Sequence, residues 1–339
     1  MGQLFCFRKV NDEHSTLSQS LLQINRYMNN NNVSNYKILL SRDQNRIKNI
    51  KENLVSRKSK YNMIYYDINK KEAIIMKRKL EGILSLEGLS ELNINNKLYI
   101  CGSSSQDPET DKGSHLFELN PVNPKTRNLL FSKYCHYYPA LIAIKNRYIY
   151  CIGGQSQFHC ESYDIKENVW LPLPNLPEER YLCTLCYDEM KNIIYLFGGI
   201  NEKNRIHKHK FSIEYDYFLR LIEDRDIGLK WQKINIKNNK SLINRFSAGS
   251  LIFEGQENYI YILGGKDEQG FLLDDIIRFD IEKQSFQNTN KIMPFPTEFF
   301  NQYSLVSEID KFLYVFLDKY NNPIKIDKRE FLDINFEEL

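Results

Sequence analysis

The stretch Tyr148-Ile149-Tyr150-Cys151-Ile152-Gly153-Gly154 reads as an apolar strand that ends on two adjacent glycines. Ile193-Ile194-Tyr195-Leu196-Phe197-Gly198-Gly199 and Tyr259-Ile260-Tyr261-Ile262-Leu263-Gly264-Gly265 repeat it, with second glycines 45 and 66 residues apart. A unit of this size cannot bury its own apolar face and stacks on copies of itself. An aromatic–acid pair follows each glycine pair: Tyr163-Asp164, Tyr215-Asp216 and Phe279-Asp280. A bulky residue then marks a further strand. Trp170 and Phe286 come seven positions after Tyr163 and Phe279, while Trp231 comes sixteen after Tyr215, as an insertion in that unit would produce.

Glycine lets the chain turn sharply without a Cβ penalty, and large aromatics fill the wedge between twisted sheets. Strand, glycine pair, aromatic and Trp-like residue in that order resemble the kelch repeat, over about residues 97–310. The resemblance implies an all-β fold, a β-propeller of four-stranded blades. Weaker copies flank the clear ones: Lys97–Gly102 keeps one glycine, Phe312–Leu317 keeps none, and Tyr66-Asp67 echoes Tyr163-Asp164. Acids at 67, 118, 164, 216, 280 and 327 then mark six units, hence a six-bladed propeller over 31–339 behind a short N-terminal leader, 1–30. Tyr36–Leu40 and a segment near Leu21–Tyr27 are expected to supply inner strands of the first unit, and Phe331–Phe336 the outer strand of the last.

Charge is uneven. Residues 1–60 hold 11 Lys/Arg against 4 Asp/Glu, a net of +7, and the remainder carries −4. Gly2 and Cys6 could carry a myristoyl and a palmitoyl chain, which the basic leader would reinforce at an anionic membrane surface. Cys6 stands where the acylation pattern has Ser or Thr, so an ordinary leader is the competing reading. Ile47, Ile50 and Leu54 trace one helical stripe through the basic stretch 43–60, readable as an amphipathic helix or a solvated loop. No run reaches the roughly 18 apolar residues of a membrane helix, and early charges such as Arg8 and Lys9 argue against a secretory signal. A cytoplasmic compartment, possible membrane attachment aside, is the expectation, with the seven cysteines reduced.

Chemistry is sparse. Cys183 and Cys186 have metal-site spacing, but no second pair completes a zinc site. His207 and His209 sit among lysines, whose charge opposes a cation. Neither metal nor cofactor is expected, and no catalytic residue stands out. A nucleic-acid reading would require basic residues interleaved with exposed aromatics on one surface, and the tyrosines are better explained as repeat packing, so nucleic acid is not the expected ligand. Loops on a rigid ring carry binding. Unequal loops follow the second strands: Ser103–His115, Gln155–Glu161, Ile200–Phe211 and Lys266–Asp275. Leu219–Lys230 reads as a long connection projecting from the other end. The resemblance places arginines at the turn entering the first strand, aimed at the mouth of the ring. Arg180 and Arg245 match, with His136 at the equivalent point, as residues for a partner's carboxylate; a salt bridge to Glu178 or Glu179 is the structural alternative for Arg180. The expected function is a non-catalytic interaction module, a scaffold or adaptor for a protein partner; a membrane-anchored scaffold and a sugar-acting propeller enzyme are the alternatives.

Overall fold

The computed structural model describes residues 88–95, 97–102, 113–119, 126–201, 217–238, 244–253, 256–293 and 296, and the backbone of the strands flanking them. All regular structure among the described residues is β. The second sheet is β5 (Leu89–Ile94), β6 (Lys97–Gly102), β7 (His115–Leu119) and β8 (Thr126–Asn128). The third is β9 (Ala140–Ile144), β10 (Tyr148–Gly154), β11 (Gln157–Asp164) and β12 (Val169–Leu173). The fourth is β13 (Thr184–Asp188), β14 (Ile193–Phe197), β15 (Tyr217–Asp224) and β16 (Gly228–Asn235), and the fifth β17 (Gly249–Leu251), β18 (Tyr259–Leu263), β19 (Asp275–Asp280) and β20 (Ser285–Ile292). Each is an antiparallel meander in chain order. First strands lie beside first strands: β5 by β9, β9 by β13, and β13 by β17.

Strands β21 (Ser304–Ile309), β22 (Phe312–Leu317) and β23 (Ile324–Asp327) continue the series, with β21 beside β17. The first sheet has the order β1-β4-β3-β2, where β1 is Arg8–Lys9, β2 Tyr36–Arg42, β3 Lys60–Asp67 and β4 Glu72–Lys79. Its edge strand β2 neighbours β6, a second strand, so β2 takes the second-strand place. At its other edge β1 pairs with β4 in parallel, a pairing the repeat does not anticipate. The segments near Leu21–Tyr27, 43–59 and Phe331–Phe336 lie outside the described residues, as do Gly2, Cys6, His207 and His209.

The register corrects one mark of the repeat. Ile149, Tyr163 and Trp170 face one another across β10, β11 and β12, as Ile260, Phe279 and Phe286 do in the fifth sheet. In the fourth sheet the same row is Ile194, Leu221 and Trp231. Leu221 therefore stands where Tyr215 was expected, and Tyr215 itself lies outside the described residues. Nor do residues 219–230 form a projecting connection. They belong to a ladder of two eight-residue strands whose tight turn carries Arg225, Asp226 and Ile227.

Aromatic packing joins the sheets. Phe197 and Phe218 of the fourth sheet meet Phe279 of the fifth at ring-centroid distances of 5.4 and 4.7 Å, and Phe197 also meets Phe286 at 5.7 Å. Between the second and third sheets, Tyr99, Cys101 and Leu116 pack on Ile149, Cys151 and Tyr163. Cys183 and Cys186 are buried free thiols that burial pushes up to about 12, in keeping with a packing role.

The fourth-strand tryptophans latch each sheet to the one before it. Trp170 Nε1 donates to Leu130 O at 2.8 Å, just beyond β8, and Trp231 Nε1 to Pro174 O at 2.9 Å, just beyond β12. Trp170 also packs on Tyr163, with ring centroids 5.3 Å apart. Because Trp170 is only half-buried, Trp170→Ala is expected to cost about 2–3 kcal/mol, below the ~3–5 of a fully buried aromatic. Trp170→Phe keeps most of the ring contact and loses the hydrogen bond, about 1 kcal/mol. Urea unfolding of the two variants checks the order.

The acids at third-strand ends fasten turns. Asp164 accepts from the Lys166 and Glu167 amides and from Arg147, whose Nη2 lies 2.6 Å away. The Arg147 hydrogen bond holds this carboxyl at about 2, against an ordinary 3.8. A depressed folded-state value contributes stability that is full above the ordinary value and lost as pH falls through about 2. Arg147→Gln should therefore raise the midpoint of acid unfolding, with the stability difference from wild type vanishing below about pH 2.

Candidate functional site

The glycine pairs, the turns entering the first strands and the turns leaving the second strands all lie at one end of the sheets. Gly153 and Gly154 have φ of 60° and 141°, a conformation that L side chains rarely adopt. A Cβ on Gly153 would also sit 2.4 Å from Arg180 O. Glycine is required there by conformation and by space.

His136, Arg180 and Arg245, the residues named above for a partner, hold this corner together. His136 Nδ1 donates to Gly153 O at 2.6 Å, and its Nε2 lies 3.1 Å from Glu161 Oε2. Arg180 reaches Gly198 O at 3.4 Å, Glu178 Oε1 at 2.8 Å and the Tyr217 hydroxyl at 2.9 Å. Arg245 reaches Gly264 O at 3.0 Å and grips both oxygens of Asp275 at 2.9 Å. All three side chains are buried. The rule is the same in three sheets: a basic side chain binds the carbonyl of the first glycine and an acid, which lies on β11 for His136, two residues earlier in the chain for Arg180 and on β19 for Arg245. The basic residue was legible from the turn, and for Arg180 so was the salt bridge to Glu178, the structural alternative named above; Glu161 and Asp275 were not, because they come from later strands.

Glu161 shows how the charges balance. Burial alone would raise its carboxyl, but the His136 hydrogen bond and the Lys133 and Tyr134 amides outweigh that and lower it.

The main chain of the same residues links neighbouring sheets. Gly154 N donates to Arg180 O, and Gly199 N to Arg245 O, both at 3.0 Å. Two residues after each basic one, Tyr138, Leu182 and Ser247 have φ near +54°, at 55°, 54° and 53°. Tyr138 N donates to Gly88 O and Ser247 N to Leu182 O, each in the preceding sheet. Ser90 and Thr184 add hydroxyl bonds to Pro139 O and Ala248 O of the following sheet.

With the locking residues buried, solvent meets other side chains at this end. Leu130, Phe131, Phe158, Phe271, Leu272 and Ile292 are exposed here, Phe271 to 70%. At the opposite end Val169, Met190, Ile227 and Leu229 are exposed. Among the described residues no group of three His, Cys, Asp or Glu side chains could hold a metal ion, and no helix is long and apolar enough to cross a membrane.

No family model matches the chain. Part of it is similar to a kelch repeat-containing protein of Dictyostelium discoideum, at 28% identity over 42% of this chain and 22% of that protein. The chain thus matches less than a quarter of its relative's length.

Arg245 gives the sharpest test of the corner. Arg245→Ala leaves Asp275 without its bidentate partner and should cost about 2–4 kcal/mol, somewhat less than a fully buried broken pair. Adding Asp275→Ala should recover part of that loss. Equal losses in Arg245→Ala and the double variant, measured by urea unfolding, would mean that a stranded Asp275 carboxylate costs nothing and that the loss comes from Arg245's other contacts, such as Gly264 O.

Proposed function

We propose that the chain is a non-catalytic interaction module, a six-bladed kelch-type propeller over 31–339 that holds a protein partner at the end carrying the glycine pairs. The observation that carries this reading is the exposure of six large apolar side chains at that end, Phe131, Phe158 and Phe271 among them, against four at the other. Exposed apolar groups gathered on one surface mark interaction sites, whereas isolated ones need no explanation. The buried locks beneath supply the rigid support that binding loops need. The likeness to a kelch repeat-containing protein agrees with a repeat scaffold. Arg180, Arg245 and His136 serve this function by fixing the turns. Contact with the partner falls to the exposed residues around them.

The test is affinity purification of the tagged full chain from its own cells with quantitative mass spectrometry. Phe158→Ser with Phe271→Ser should lose the specific partner, and Met190→Ser with Ile227→Ser should keep it. The reverse pattern would move the working surface to the opposite end. The absence of any partner enriched over a tag-only control would overturn the module.

A further inference from the structure

The chain crosses from the second sheet to the third over residues 129–136 and from the third to the fourth over 173–180. These are one structural element built twice. Leu130 O and Pro174 O each accept an indole N–H from the following sheet, and the crossings end on His136 and Arg180, each bound to a first-glycine carbonyl. In that alignment Leu129 matches Leu173 and Ser132 matches Leu176, all four buried.

The remaining positions differ. Asn175, Pro177, Glu178 and Glu179 make the later crossing polar and acidic. The earlier one has Phe131, Lys133, Tyr134 and Cys135 there, with Phe131 48% and Leu130 49% exposed. Beside it, the start of β11 adds Phe158 and His159. Tyr134 stacks on His159 at 3.7 Å between ring centroids and His159 on Phe158 at 4.3 Å, while Lys133 Nζ lies 5.2 Å from the Tyr134 ring. His159 Nδ1 donates to Gln157 Oε1, and burial holds its pKa below the usual value, so the ring is neutral in neutral solution. Lys133 is then the one exposed formal charge among residues 129–136 and 155–160.

Holding the crossing does not require these rings. The crossing at 173–180 keeps the same anchors with polar residues in those places. The aromatic lip is an addition to the scaffold, and its chemistry is that of a platform with a cation at its edge.

We infer that this lip binds an extended peptide that lays a proline or other apolar side chain on the Tyr134–His159–Phe158 stack and sets a carboxylate against Lys133. The inference rests on the interaction-module reading and assigns it a ligand class. Aromatic-lined surfaces take extended peptides because such segments lose little entropy on docking. A single lysine matches one carboxylate, whereas a nucleic-acid strand calls for a basic track along its phosphates.

The experiment is panning of phage-displayed random linear peptides on the intact chain, followed by fluorescence anisotropy with a selected, labelled peptide. Wild type should enrich sequences with proline or an aromatic next to Asp or Glu. Lys133→Glu and Phe158→Ser should each weaken that peptide by about tenfold or more, and panning on Lys133→Glu should enrich basic peptides instead. Met190→Ser, at the far end, should bind as wild type does, and thermal melts confirm that each variant is folded. Enriched peptides that bind all variants alike would overturn the lip and leave the interaction module standing. Failure to enrich any peptide would overturn the lip alone, since the cellular partner is scored separately. Tighter binding of a labelled oligothymidylate, lost in Lys133→Glu, would reassign the platform to nucleobases and overturn the peptide.

Discussion

Every described sheet from the third to the fifth depends on one interaction, the capture of a glycine carbonyl by a buried basic side chain. The glycine pair turns the chain so sharply that the first carbonyl points into the protein, where an unmet acceptor costs about 1–3 kcal/mol. His136, Arg180 and Arg245 each meet it. Each of these buried donors is matched by a carboxylate, Glu161 beside His136, Glu178 beside Arg180 and Asp275 beside Arg245. The backbone of the same residues completes the arrangement. Arg180 O and Arg245 O take the amides of Gly154 and Gly199 from the preceding sheet, so one residue closes its own corner and joins its neighbour.

That double duty explains the left-handed residues that follow. Tyr138, Leu182 and Ser247 each carry a positive φ at an expense of about 1–2 kcal/mol. The turn must bring the chain from the lock into the first strand while keeping its amides and carbonyls aimed at adjacent sheets. Gly88, at the same place before β5, meets the requirement without strain.

The amino-acid sequence announced this architecture unevenly. Gly153, Gly198 and Gly264 with their second glycines were visible because a conformational demand leaves a residue type at a fixed spacing. The row containing Tyr163 and Phe279 was visible because a packing demand leaves an aromatic at a fixed spacing in the same way. The fourth sheet was misread because Leu221 fills that row, and an aliphatic residue among others in a strand carries no mark. Length added to the error: β15 and β16 lengthen their ladder, and residues that read as a loop pair with one another. At the corner, Arg180 and Arg245 were picked out, but their direction could not be. An arginine beside an acid in sequence, such as Arg180 near Glu178, and one whose acid lies thirty residues on, such as Arg245 with Asp275, look alike until the sheet is folded.

Function follows from what the locks leave free. A crossing between sheets is fixed at two points, the carbonyl that receives the next tryptophan and the basic residue at its end. Between those points buried residues pack and exposed ones bear no load, so they can change without loss of the fold. The two crossings anchored in this way have changed in opposite directions. At 173–180 the acid Glu178 serves Arg180, which ties the surface of that crossing to its lock. At 129–136 the acid for His136 comes from β11 instead, as Glu161. Moving the counter-charge onto a strand releases position 134 from its electrostatic duty. A tyrosine can then occupy it and stack outward on His159, so a change inside the lock is what makes an aromatic surface possible on that side of the molecule.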